Sequence, residues 1–477
     1  MVRQVSSYLL ANVVSAMFGF ASVVIFTRLL GPEEYGIYIV GFSIAAMISA
    51  LGFGWIKSSI VPLSADGSGT DLRATIGVAF LALLLLAPPL YFILAGFAPQ
   101  SAGYLVPAIL LAFGIGYFEF YLEIFRARQE TVSFMWATIL RAAAALALSL
   151  LLVEVFDWGG LGLLASVMLS YFLTSLVYSA LVWRGPAKPF DRGHLRTMLR
   201  FGLPMTLSGA VFVLQAMLDR FALAGTLGEH AAGLYGAAAD LVRQILLFPG
   251  VAIGTAIAPI AVGLFARHER AELDRHLIRS GELLLAIMAP AVAGLAIVAG
   301  KLAFLVLGPE FRLEAAMLIP ILALGWLFRS VSYQLLHVTF QISRKPGLML
   351  GQGLIILALN ALALVLLVPP LGLAGAALAT LLSETVGVAV GFVLARRAYA
   401  LPVDVLSLGK VALATLFMAV PTFLLDRVLP GTGPLDLALP VAVGVLAYGV
   451  AACLFDLVGI RRMLRLPFNR PALTTDR

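Results

Sequence analysis

Residues 201–265 read FGLPMTLSGAVFVLQAMLDRFALAGTLGEHAAGLYGAAADLVRQILLFPGVAIGTAIAPIAVGLF, and this stretch decides the fold. Two apolar runs, Phe201 to Gly225 and Ala231 to Phe265, are separated only by residues 226–230. A helix needs about 20 apolar residues to cross a hydrocarbon layer, and each run reaches that length. The stretch therefore predicts two consecutive membrane-spanning helices. Asp219, Arg220, Asp240 and Arg243 fall inside them, where ionisable groups are costly and are functional candidates by default.

Outward from this stretch the chain keeps the same character. Its 477 residues are 61% hydrophobic and 12% charged, against about 25% charged in soluble domains, so most of the surface faces something other than water. Before residue 184, apolar windows recur near Ser7 to Thr27, Tyr35 to Ile56, Ala74 to Phe97, Gly103 to Phe125, Val132 to Phe156 and Gly159 to Trp183. After residue 265 they recur near Ile278 to Gly300, Ala315 to Ile342, Leu348 to Val368, Gly372 to Ala395, Val405 to Leu425 and Leu435 to Val458. The pattern predicts an all-α polytopic membrane protein of about 14 transmembrane helices. The first run is longer than a signal-peptide core and lacks a small-x-small cleavage site, so it is expected to stay as the first span.

Basic residues test the count, because Lys and Arg collect in alternate loops when the spans are counted correctly. One set of connections holds Lys57 and Arg73, Arg126 and Arg128, then Arg184, Lys188, Arg192, Arg196 and Arg200, and so on to the tail; the other holds only Arg28, Lys301, Arg312 and Arg427. Both termini are expected on the cytoplasmic side. The net charge of +7 is accounted for by topology signals and contacts to anionic lipid headgroups, and no basic, aromatic-interleaved segment for nucleic acid stands outside the spans. A single cysteine, Cys453, excludes an intrachain disulfide and a cysteine metal site.

An internal repeat divides the chain. Leu30-Gly31, Gly36 and Tyr38 recur as Leu227-Gly228, Gly233 and Tyr235, and Leu161-Gly162-Leu163 recurs as Leu371-Gly372-Leu373. Two six-helix lobes of the same orientation are expected, residues 1–183 and 201–397, with a cleft between them. Residues 398–477 add two helices and a basic tail. In the connection 184–200, Leu195, Met198 and Leu199 recur at helical spacing beside Arg192, Arg196 and Arg200. That spacing reads as an interfacial amphipathic linker, with a plain basic topology loop as the alternative.

The run Thr27-Arg28-Leu29-Leu30-Gly31-Pro32-Glu33-Glu34-Tyr35-Gly36 resembles the signature after the first helix in the polysaccharide transporter family, the Wzx-type lipid-linked oligosaccharide flippases. These belong to the multidrug/oligosaccharidyl-lipid/polysaccharide exporter superfamily. The resemblance implies a V-shaped bundle with a cavity lined mainly by the first, second, seventh and eighth helices, working by alternating access in the bacterial inner membrane. It implies an undecaprenyl-diphosphate-linked oligosaccharide as substrate, for exopolysaccharide, capsule or O-antigen assembly, with a polysaccharide polymerase and a chain-length regulator as partners.

Arg28, Lys57, Arg220 and Arg243 lie at successive depths on those four helices. A diphosphate offers charge and acceptor oxygens that cations and forked guanidinium groups engage, so these four form a candidate ladder for its transit. Snorkelling to the interface is the plainer account of Arg28 and Lys57. A pair with Asp240 at i,i+3 is the plainer account of Arg243. Two further arginines, Arg141 and Arg329, also fall inside spans. Asp219, Asp240 and Glu384 are candidates for a coupling proton or sodium ion, Glu384 above all because no cation lies near it along its helix. Glu119, Glu123 and Arg141 are expected to form a structural ion-pair cluster. His337 reads as a hydrogen-bonded packing residue.

Enzyme signatures are missing: no Walker A run, HExxH or G-x-S-x-G is present, and Gly160, Gly162 and Ala165 fit a nucleotide motif without the strands it needs. No cofactor or metal is expected. Two other classes compete with lipid-linked sugar translocation. One is cation-coupled small-molecule export of the multidrug-extruder kind, which a basic ladder disfavours when the cargo is cationic. The other is a membrane glycosyltransferase or polymerase, disfavoured because no long extramembrane segment is available to hold donor-binding acids.

Overall fold

A computed structural model describes residues 2–65, 72–183 and 189–461. Every regular element among the described residues is helical. Among the described residues, eleven helices are long and apolar enough to cross a membrane. Two of them are interrupted by a glycine with non-helical backbone, Arg192–Ala266 at Gly228 (φ 85°) and Pro346–Ala395 at Gly372 (φ 57°). Only glycine takes such angles without strain, and Pro369 and Pro370 just before Gly372 further disfavour helix continuation. Each interrupted helix is therefore two spans. Tyr235 Oη donates to Asp219 Oδ2 over 2.7 Å, whereas an unbroken helix would hold these residues about 24 Å apart.

Each interrupted helix counts as two, and α1 (Val2–Leu29), whose apolar part Val13–Leu29 is shorter than those eleven, precedes them; then come α2 (Pro32–Ala65), α3 (Arg73–Phe97), α4 (Ala102–Ala127), α5 (Thr131–Leu150, prolonged by a π turn to Val155) and α6 (Gly159–Val182). Then follow α7 and α8 (192–227 and 229–266), α9 (Arg270–Ile297), α10 (Pro309–Ile342), α11 and α12 (346–371 and 373–395), α13 (Val405–Val428) and α14 (Pro434–Phe455). A short helix, Ala299–Val306, lies between α9 and α10. Successive spans reverse, so the start of α1 and the end of α14 share one face, here called the terminal face.

α2 is the spine of the molecule, packing along both α7 and α8 as well as α4. Near the terminal face Ser59 Oγ donates to the Met198 carbonyl at 3.1 Å, and Gly202 lets α7 rest on the backbone of Trp55. At the opposite face Gly36 of α2 abuts the Glu229 carbonyl and Gly233 of α8 abuts the Pro32 carbonyl. The two copies of the repeated glycine thus meet each other. The second repeated pair is not equivalent: Gly372 is the break between α11 and α12, while Gly162 is helical and the left-handed position before it is Gly159 (φ 56°).

Of the expected linker 184–200, residues 184–188 lie outside the described residues. Residues 192–200 are the first turns of α7 itself, capped by the Asp191 carboxylate accepting from Gly193 N at 2.7 Å. Its apolar face is real: Met198 is buried against the α2–α4 core while Arg192, Arg196 and Arg200 are exposed. The expected topology residues Arg3, Arg184, Lys188 and those beyond 461 lie outside the described side chains. α13 and α14 pack on α9. Lys301, expected as a loop cation, is buried and pairs with Asp426 at 3.0 Å, fixing the short helix to the end of α13. α3 packs through its first turns only, Ile76 and Ala79 being buried and Phe80 lying between Phe53 of α2 and Tyr117 of α4, while Leu85 and Phe97 farther along are largely exposed.

Candidate functional site

Between α2, α4 and α6 on one side and α7, α8 and α10 on the other lies a cavity of about 640 Å³. A second cavity of about 180 Å³ adjoins it toward the opposite face, enclosed by α2, α7, α8, α10 and α12. Phe42, Ala216, Met217, Trp326 and Arg329 border both. The larger chamber carries Lys57 and Glu119, with Tyr171, Phe212, Trp326 and Tyr333 as aromatic walls. The smaller carries Asp219, Arg220, Asp240 and Arg243.

These ions are arranged as pairs. Lys57 Nζ reaches Glu119 Oε1 at 3.0 Å, both side chains more than a third exposed, so the pair is weak and open to a competing ligand. Arg220 Nη2 donates to Asp240 Oδ1 at 2.6 Å, both deeply buried, which makes this the structural pair of the α7–α8 hairpin. The expected Asp240–Arg243 contact is the looser one: Arg243 Nε lies 3.4 Å from the same oxygen without forming a hydrogen bond, and 44% of its side chain is exposed. Asp219 accepts from Tyr235 and from Thr380 Oγ1 (2.6 Å), and its other oxygen, like the amide oxygen of Asn360 on α11, has no hydrogen-bond partner among the described residues.

Three expectations change. Glu384 is not isolated: Arg329 of α10 holds its Oε1 through Nε and Nη2, both at 2.8 Å, and Gln215 Nε2 donates to it at 3.0 Å. Helical spacing along α12 could not reveal a partner from another helix. Glu119, Glu123 and Arg141 do not cluster. Glu119 pairs with Lys57, Glu123 with Arg126 at 2.6 Å, and Arg141 lies over the Tyr171 ring at 4.9 Å, where the π face satisfies it. Arg28 borders neither cavity; its guanidinium donates to the Leu305 carbonyl at the end of the short helix, where the helix dipole favours a cation.

The cation set facing the cavities is therefore Lys57, Arg329, Arg243 and Arg220. Arg329 was visible in the sequence as an intramembrane arginine, but on a helix outside the four implied to line the cavity. Its place at the junction comes from α10 packing beside α7 and α12. His337 matches its expectation in part: it is buried and packs on Tyr333 with ring centroids 4.9 Å apart, one layer behind the cavity wall.

Comparison with known proteins adds to this geometry. The family described as "Polysaccharide biosynthesis protein" matches residues 1–265, and the family "Lipid II flippase MurJ" matches residues 185–439. No curated protein matches by sequence. Among solved structures, "Lipid II flippase MurJ, inward closed conformation" superposes with TM-score 0.78 at 15% identity, covering 95% of this chain and 99% of that one. An "Inward-facing conformation of a multidrug resistance MATE family transporter of the MOP superfamily" gives 0.62 at 19% identity, covering 82% and 97%. The outward-facing conformation of such a MATE transporter gives 0.56 at 18%, covering 82% and 94%. At these identities the likeness is one of fold.

Proposed function

The chain belongs to the polysaccharide biosynthesis protein family of the multidrug/oligosaccharidyl-lipid/polysaccharide exporter superfamily, and from that premise we propose that it flips a lipid-linked oligosaccharide across the bacterial inner membrane. The family is of the transporter type, and the chain is not an enzyme. The observation that carries the proposal is the pair of joined chambers with Arg329 at their junction. The smaller chamber gathers guanidinium groups around a volume suited to a diphosphate. The larger offers aromatic faces and a half-exposed Lys57–Glu119 pair to a short glycan. Tyr171, Trp326 and Tyr333 present flat apolar surface to sugar C–H groups, and the ion pair presents donors and acceptors to hydroxyls.

Movement from the cytoplasmic to the periplasmic leaflet by alternating access completes the proposal, with the termini cytoplasmic and the cargo an undecaprenyl-diphosphate-linked repeat unit of an exopolysaccharide, capsule or O-antigen. Exposed Arg192, Arg196 and Arg200 on the terminal face suit anionic headgroups. A polymerase and a chain-length regulator would receive the product. Asp219, Asp240 and Glu384 remain the coupling candidates. Asp240 is the least available of them, being held by buried Arg220. Export of organic cations is the weaker reading, because three guanidinium groups and Lys57 face the chambers.

The test is reconstitution. Liposomes carrying the purified protein and a fluorescent undecaprenyl-diphosphate trisaccharide should expose the inner-leaflet lipid to an external quencher faster than protein-free liposomes. Equal rates in both would refute the proposal.

A further inference from the structure

Glu384 sits on α12 with 1% of its side chain exposed and borders neither chamber, yet its counter-ion Arg329 borders both. The contact between them is lopsided. Arg329 aims Nε and Nη2 at the single oxygen Oε1, which also accepts from Gln215 Nε2. Among the described residues Oε2 is buried without a hydrogen-bond partner, and so is the Gln215 amide oxygen. A guanidinium edge binds best when two oxygens meet its two donors, and a diphosphate offers such oxygens from the chamber side. Once Arg329 turns its fork to the ligand, Glu384 is left as a buried carboxylate without a counter-charge, a state that proteins relieve by neutralisation.

We propose that Glu384 takes up a proton when a diphosphate engages Arg329, so that loading of the headgroup and protonation of this carboxyl are one linked event. The inference rests on the proposed function, since it needs a diphosphate cargo. The new O–H bond forms on Oε2, the proton comes from solvent through the chambers, and the protonated carboxyl carries the donor that the Gln215 oxygen lacks. The other groups around Glu384 are Asp219 on α7, Tyr235 on α8 and Tyr333 and His337 on α10. α11 carries no ionisable residue, and α12 carries none besides Glu384. Asp219 already accepts two hydroxyl donors and makes no direct bond to Arg329, which singles out Glu384 as the group that loses its partner.

Linkage sets the sign: a ligand that brings a proton with it binds more tightly as pH falls, by up to tenfold per pH unit for one proton. The probe is a C10 prenyl diphosphate esterified to N-acetylglucosamine, whose two phosphodiester groups stay ionised throughout. Calorimetric titration of the full chain in nanodiscs, in buffers of different ionisation enthalpy across about pH 5 to 8, reads the protons taken up per probe bound. Approach to one proton in the wild type, and none with pH-independent affinity in Glu384→Gln, is the expected result. Difference infrared spectra of the wild type, which need no variant, should show a protonated-carboxyl band on adding probe. Binding without uptake at any pH, or uptake undiminished in Glu384→Gln, overturns the inference while leaving the proposed function standing. Absence of binding removes both.

Discussion

Gly36 and Gly233 each leave out a side chain where the other's helix crosses: a Cβ on Gly36 would stand 1.9 Å from the Glu229 carbonyl oxygen, and one on Gly233 1.9 Å from that of Pro32. Backbone cannot yield as a flexible side chain does, so either substitution must part α2 from α8. We expect Gly36→Ala and Gly233→Ala each to cost about 1 to 3 kcal/mol of the closed arrangement. Both should increase labelling, from the non-terminal face, of a cysteine placed at Ala239. The double variant should add little to either single one, because both changes act on one seam. Labelling unchanged from the parent would show that the seam closes without this contact.

Arg329 is expected to be the most sensitive cation. Arg329→Lys keeps the charge beside Glu384 and loses the fork, so abundance should hold while flux per folded molecule falls about 10- to 100-fold, the worth of one charge-assisted hydrogen bond. Flux within twofold of wild type would remove Arg329 from the transit path.

The two hairpin arginines should separate by phenotype. Removing Arg220 strands the buried Asp240, and breaking such a pair costs about 3 to 5 kcal/mol, so Arg220→Ala should lower folded yield. Arg243→Ala should leave yield intact and reduce flux, because its side chain is half exposed and only loosely held. Arg28→Ala should leave flux nearly unchanged. Thermal melts beside flux in the same preparations decide each case, and the reverse pattern for Arg220 and Arg243 would exchange their roles.

A phosphatase fused after residue 461 should be inactive when it requires the periplasm, since the basic residues collect on the terminal face. Strong activity of that fusion would reverse the orientation.

The spans were legible because each is a run of apolar residues long enough to cross, and even the two that continue through Gly228 and Gly372 show there a glycine between apolar stretches. Ion pairing was legible only where partners are neighbours along one helix. Asp240 and Arg243 are three apart and were visible, but the tighter partner, Arg220, comes from across the hairpin, 20 residues away. Lys57 and Glu119 are 62 apart and Arg329 and Glu384 are 55 apart, so their meeting depends on which helices pack together, which periodicity does not encode. The same limit explains Arg141, whose aromatic partner Tyr171 is on another span.

α2 touches both α8 at Gly36 and α7 at Trp55, and its prolines, Pro32 at its first position and Pro62, both lie outside the stretch between these contacts. The contacts are roughly 28 Å apart along one uninterrupted rod. Such a rod is a lever with the large chamber at its fulcrum: tilting it off α8 presses its other end onto α7, and the reverse. The two faces are then expected to be open by turns, without any separate latch to forbid a leak. Spin-label distances from α2 to the first turns of α7 and of α8 should change in opposite senses across conditions, and a simultaneous lengthening of both would show that α2 bends.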